Sequence, residues 1–335
     1  MEWKIAYPHY IPGSSSFIEM MRGALKAMQC GGVKPGENVV ILTDTNKIRV
    51  AEALAGAAVA VSAVPTIIIN TPSGMHGRQP PPPAVAGCSR SDVFFLPTSF
   101  STTHTDARIL AMKNGARGCT MCDVTEDSLC VGGIMADYEE CDRLGRRLGE
   151  LMSRSKEIRV RTKSGTDIRG QITGRPVQYE TGIFRNPGDF ASLPNSEINI
   201  SPIEGTTEGV AVADVRIMGV GITRYEPVTL IVREGLLRDI QGGPMAEQLA
   251  GILADLKDET AYNLAEFGIG LNPVARRYAT NQEDLGTLGN VHHGIGSNYA
   301  IGGNVKAPCH IDATYRDAII ELDGHVVMDC GRLMV

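Results

Sequence analysis

"ENVVILTDTNKIRVAEALAGAAVAVSAVPTIIIN", Glu37 to Asn70, holds the pattern that decides the fold of the N-terminal half. ENVVILTD is a short apolar run ending in turn residues, Ile48 to Ala63 reads as a helix by its length and alanine content, and PTIIIN is a second, β-branched run. Together they predict a βαβ unit. The part from Ala53 to Asn70 is also the one membrane-like run of the chain, but it is marginal in length and broken by Pro65, so a buried helix followed by a buried strand explains it better than a membrane span. Further on, SDVFFLPTS and GCTMCDV repeat the strand signal on either side of a helix beginning near Thr105. The alternation predicts a parallel sheet flanked by helices. HGRQPPPPAVAG, between the two units, predicts a proline-stiffened loop.

Beyond this region a long amphipathic helix, about Asp137 to Ser155, ends the alternation, and from Ile158 the texture turns to β. EIRVRTKSGTDIRGQI and VTLIVREGLLRDIQGG read as strand pairs joined by glycine turns, and DAIIELDGHVVMDC carries a D-G hairpin signal at Asp323 and Gly324. One helix, Pro244 to Lys257, interrupts the β region, with proline at its first turn. The expected organisation is an α/β domain over residues 1–155 that covers the site, then a β-rich α+β metal-binding domain over 156–335.

Composition narrows the function. A length of 335 residues with 43% hydrophobic and 21% charged residues is ordinary for a globular protein with a large core. The net charge of -6 and the pI near 5.7 argue against a nucleic-acid partner, and the start MEWKIAYPHYIPGSSS lacks the apolar core of a secretory signal. A cytoplasmic protein with no membrane partner is expected. The eight cysteines are scattered. CTMC, Cys119 to Cys122, raises redox and structural-zinc readings together with Cys130 and Cys141, but the acidic DVTEDS that follows does not suit a thioredoxin-type site, and inert cysteines are the expectation.

The chemistry gathers near the C-terminus, where HHGIGSNYAIGGNVKAPCHID, His292 to Asp312, holds three of the chain's seven histidines. In an extended CHID segment His310 and Asp312 share one face, while Cys309 and Ile311 take the other, so the H-x-D pair suits a metal and excludes the cysteine. His292 and Tyr299 lie upstream among glycines whose backbone can bend tightly enough to converge. Tyr299 also admits a simple packing role, and His293 a surface or supporting one. Glu266 in YNLAEFGIGLNP is flanked by Leu264, Ala265, Phe267 and Ile269, surroundings in which an unpaired charge is expensive and a metal or cation would compensate it. Glu197 in LPNSEINISPIEG is a weaker anomaly, open to a turn or edge reading.

In order, LPNSEINISPIEGTTEG, NLAEFGIGLNP, GNVHHGIGSNY and CHID resemble the motif blocks of the aminopeptidase T family of two-metal aminopeptidases and their relatives, from about Arg159 to the C-terminus. The resemblance implies metal ligands at Glu197, Glu266, His292, Tyr299, His310 and Asp312, and a homodimer. A second branch of the same fold, 2,5-dihydroxypyridine 5,6-dioxygenase, uses one Fe(II). It has a histidine where this chain has Glu266, keeps H-x-D, and lacks counterparts of Glu197, His292 and Tyr299. The short N-terminal half looks more like that branch, and TTHTDARILAMKNGARG resembles the segment where the dioxygenase places an acid-base histidine, which falls on His104.

Six convergent ligands are enough for two ions, since a catalytic zinc usually takes three protein ligands. The expectation is therefore a metal-dependent hydrolase, cleaving an amide or amide-like C–N bond of a small molecule or peptide N-terminus by a two-metal-activated water, with His104 shuttling a proton. Its cofactors would be two divalent ions, Zn, Co, Mn or Fe. The different-class alternative is an Fe(II) ring-cleaving dioxygenase.

Overall fold

The structure, a computed structural model, describes residues 16–103 and 105–334. Strand Asn38–Asp44 forms where the sequence is apolar on both faces, and every residue from Val39 on is buried, as a central parallel strand requires. Helix Ile48–Ala60 lays Val50, Ala51, Ala53, Leu54, Ala57 and Ala58 into the core, and the chain returns as strand Val64–Asn70, parallel to the first from Asn38↔Val64 to Asp44↔Asn70. Strands Val93–Leu96 and Arg117–Thr120 extend the sheet on the other side, both parallel. The expected proline loop is corrected in part. Pro82–Cys88 is a helix with proline at its first turn, where a fixed φ and a missing N–H cost nothing. No helix among the described residues is long and apolar enough to cross a membrane.

A fifth parallel strand, Phe190–Ser192, arrives from far along the chain to pair with Arg117–Thr120. It is three residues long and has no periodicity to betray it; Phe190 joins by stacking on Phe94 at 6.1 Å. The chain accordingly divides into two compact units, one running to Met135 and including Phe184–Leu193, the other Ala136–Ile183 with Pro194 onward. The division falls before the long helix and not at 155/156. Helix Tyr138–Arg154, capped by the Asp137 carboxylate accepting the N–H groups of Glu139 and Glu140, packs Gly145 beside Ile198 and Gly149 beside Tyr179, both in the second unit.

The second unit is built on two antiparallel sheets. The larger runs Leu236–Gln241, Val228–Arg233, Glu208–Ala213, Asp167–Gln171, Glu157–Arg161, Ile319–Leu322, His325–Asp329, Arg332–Leu333. Its hairpin at Asp323 and Gly324 has φ of 50° and 81°, the left-handed pair that a type I′ turn demands. The other sheet runs Gly221–Ile222, Arg216–Ile217, His310–Tyr315, Val291–Gly296, Phe267–Gly270, Glu197–Ile200, Val177–Glu180. One of its faces is apolar, with Ile198, Phe267, Ile269, Val291 and Ala313 all fully buried.

Candidate metal centre

The opposite face of that second sheet carries the polar side chains. In strand His310–Tyr315 the two-residue period turns His310, Asp312 and Thr314 the same way, and the register sets His292 against Thr314, Gly294 against Asp312 and Gly268 against His292. Glu197 opposes Gly270 one strand further on. Gly268 and Gly294 serve here by leaving lateral room for the rings beside them. A Cβ on Gly268 would lie 2.0 Å from His292 Cε1, and one on Gly294 would lie 2.6 Å from His310 Cε1.

Two sets of ligand-type atoms converge, Glu197 with Glu266 and His292, and Glu266 with His310 and Asp312, the atoms of each set lying within 4.8 Å of one another. Glu266 belongs to both. Its Oε1 is 3.6 Å from His292 Nε2 and its Oε2 is 3.0 Å from His310 Nε2. Asp312 Oδ1 closes one side at 3.2 Å from His310 Nε2, and Glu197 Oε2 stands 3.9 Å from His292 Nδ1 on the other. His310 Nδ1 donates to the Ser297 carbonyl at 2.7 Å, which leaves Nε2 as the nitrogen that faces the carboxylates, donating to them when protonated and open to a cation when not.

Three carboxylates and two imidazoles in this space leave buried bonding capacity unused. Glu197 Oε2, His292 Nδ1 and Asp312 Oδ1 are buried without a hydrogen-bond partner. A donor set of nitrogen and oxygen with orphaned lone pairs fits divalent cations, which would neutralise the carboxylates. Without them the cluster holds protons. Burial pushes the Glu197 carboxyl up to about 8. Burial acts the same way on Glu266, but hydrogen bonds from His292 and His310 outweigh it and hold that carboxyl well below its usual range. Burial likewise opposes charge on His292, yet Glu197 and Glu266 raise it to about 9, and Asp312 and Glu266 raise His310 well above its usual value.

Of the six ligands expected from sequence, five come together. Tyr299 does not join them. Its side chain is 57% exposed, and its ring carries the Lys306 ammonium 4.1 Å from the centroid. The short helical turn Tyr299–Ile301 that carries it is anchored through Asn298, whose side-chain amide donates to Ser201 and Glu204. His104 lies outside the described residues. One feature escaped the sequence reading, and His293, left open there between a surface and a supporting role, lies in the interior. The carbonyl of Ser297 carries no sequence signal, since any residue supplies one. His293 is fully buried on the apolar face, where its Nδ1 donates to the Glu266 carbonyl at 2.9 Å and Tyr315 Oη meets its Nε2. Burial pushes that imidazole down to about 3, so it is neutral. The doubled histidine was the available clue, as adjacent strand residues must face opposite ways.

Other buried carboxylates have ordinary partners: Glu283 pairs with Arg276 at 2.8 Å and Asp284 with Arg216 at 2.6 Å. No disulfide joins the cysteines, and burial pushes the Cys122 thiol up to about 12, which disfavours the reactive thiolate.

Fold and site together define a two-unit α/β protein with a divalent-metal centre on one sheet of its β-rich unit. The chain belongs to the 2,5-dihydroxypyridine 5,6-dioxygenase (NicX) family, whose sequence profile matches residues 18–335. It is 29% identical over 192 residues to the 2,5-dihydroxypyridine 5,6-dioxygenase of Pseudomonas putida, a match that spans 54% of this chain and about half, 55%, of that relative. Its fold is similar to the solved 2,5-dihydroxypyridine dioxygenase of Pseudomonas putida (TM-score 0.81, 21% identity, covering 97% of this chain and 99% of the other). It is also similar to AmpT from Thermus thermophilus (TM-score 0.70, 16% identity, 95% and 99%). The same fold is thus found in a 2,5-dihydroxypyridine dioxygenase and in AmpT.

Proposed function

We propose that this chain is a metal-dependent hydrolase that cleaves the C–N bond of an amide or amide-like group, in a small molecule by preference and otherwise at a peptide N-terminus. Glu266 carries the reading: its two oxygens face two separate histidine-carboxylate sets, the arrangement that two ions sharing one carboxylate require. Glu197 and His292 would hold one ion, His310 and Asp312 the other. Such a pair of ions supplies a water acidified toward neutral pH and a Lewis acid for the scissile carbonyl. The chain's own groups do the rest. Ser297 fixes the His310 tautomer, and the burial of Glu197, Glu266 and His292 keeps bulk water from competing for their lone pairs. We assign proton transfer to the leaving nitrogen to His104, on its likeness to the acid-base segment and its place just before helix Asp106–Lys113. His104→Ala should leave metal content unchanged and lower kcat by roughly a hundredfold.

Family membership favours a second reading, an Fe(II) dioxygenase acting on a hydroxypyridine-like ring. Against it, such oxygenases favour two histidines and one carboxylate around a single iron, whereas here three carboxylates converge. Metal analysis followed by a screen of cyclic and linear amides, with and without dioxygen, tests the proposal. Turnover under argon with the zinc-loaded protein is the expected result; strict dependence on ferrous iron with stoichiometric dioxygen uptake would overturn it.

A further inference from the structure

The segment that carries Glu266 into strand Phe267–Gly270 is out of step with its neighbour. Gly268 stands opposite His292, and Leu264 bridges to Ile295, so that Ala265, Glu266 and Phe267 face only His293 and Gly294. One extra residue here is a β-bulge, and it reverses the alternation: Leu264 turns to the side of Ile295, while Glu266 falls on the side of Gly268 and His292. The bulge therefore aims Glu266 at the metal-binding face. A bulge also interrupts the ladder, and a carbonyl inside a buried sheet needs a replacement donor. The Glu266 carbonyl has one in His293 Nδ1, at 2.9 Å.

The proton arrangement has one direction. A carbonyl oxygen only accepts, so Nδ1 bears the hydrogen; the neutral ring then offers only a lone pair at Nε2, and the Tyr315 hydroxyl donates to it. Both rings are fully buried, and the Phe267 ring meets His293 edge-on at 4.5 Å, so the imidazole has no room to turn. Tyr315 sits two residues beyond Ala313, the cross-strand partner of His293, on the same face.

We propose that His293 and Tyr315 are a positioning pair that holds the Glu266 bulge and so sets the angle at which this carboxylate reaches both of its histidines. Neither ring touches an ion or a substrate; both act through the Glu266 backbone. The inference rests on the two-ion reading of the site, and a separate measurement on the wild-type protein, ions bound per chain, tests that reading alone.

The experiment compares three variants with wild type by zinc affinity from chelator competition, by the absorption spectrum of the cobalt-loaded protein, and by the melting temperature of the metal-free protein. His293→Leu removes the donor. His293→Asn restores it, because an asparagine amide N–H occupies the place of imidazole Nδ1–H. Tyr315→Phe removes only the far hydroxyl. Metal affinity should fall tenfold or more in His293→Leu and stay within about threefold of wild type in His293→Asn, although both shrink the side chain and lower the melting temperature. A merely structural histidine would make the two alike. Tyr315→Phe, which adds no cavity, should shift the cobalt spectrum and weaken binding severalfold, and it carries the test if His293→Leu does not fold. Equal affinities in the leucine and asparagine variants, or an unchanged cobalt spectrum and affinity in Tyr315→Phe, would overturn the proposal.

Discussion

Glu266→Gln is the sharpest perturbation of the centre. The substitution keeps size and shape but replaces one of two equivalent oxygens by an NH₂ group, which donates and cannot bind a cation. In the native site Oε1 serves His292 and Oε2 serves His310, at 3.6 and 3.0 Å. A glutamine can offer its one oxygen to only one side, so one of the two sets drops from three ligand residues to two. Three protein ligands are the usual minimum for a tightly held catalytic zinc. The variant should therefore bind one ion at near-native affinity and the second at least a hundredfold more weakly, with activity lost along with the second ion. Metal-free stability should change little by comparison, by about 1–3 kcal/mol, the scale of charge-assisted hydrogen bonds, because His292 retains Glu197 and His310 retains Asp312. Equilibrium dialysis with elemental analysis, at graded free zinc, reads the two steps. Two ions bound with unaltered affinities in Glu266→Gln would refute the shared carboxylate, and a single ion bound by the wild-type protein at saturating zinc would refute the dinuclear reading.

Gly268→Ala should weaken metal binding at least tenfold in the same assay, since its Cβ would lie 2.0 Å from His292 Cε1 and the ring must swing away; native affinity in that variant would mean that His292 is no ligand. Acid stability gives another check at Glu204. Burial opposes its ionisation, but the Asn304 N–H and the Asn298 amide, donating at 2.8 and 2.9 Å, together with the Arg175 guanidinium, bring it down to about 2 from the ordinary 4.5. A depressed carboxyl contributes stability in full above its unfolded value and loses it as the pH falls through the folded one. The difference in urea-unfolding free energy between wild type and Glu204→Gln should be about 1–2 kcal/mol at pH 7, allowing for solvent screening, and should shrink steadily between pH 4.5 and pH 2. A constant difference across that range would assign the effect to packing.

Much of this protein is written locally. The βαβ start follows from β-branched runs separated by an alanine-rich helix, and the helix Tyr138–Arg154 from an aspartate that caps it. The H-x-D spacing alone puts His310 and Asp312 on one face, because the period of a strand is fixed by its backbone whatever it pairs with. An acidic residue amid apolar neighbours marked Glu266 as costly without a partner. Other features depend on which strands meet and in what register, and no local pattern encodes that. The three-residue strand Phe190–Ser192 is a strand only because Arg117–Thr120 offers it an edge. Tyr299 matches a ligand motif in spacing, yet the anchoring of Asn298 by Ser201 and Glu204, distant in sequence, goes with an exposed phenol. Glu266 came to face both histidines through a bulge, a mismatch of count between two strands that exists only once they are paired, and its glycine neighbours acquired their purpose from the rings that lie across them. Residue type and spacing supplied the ligands; the ladder between strands decided which of them meet.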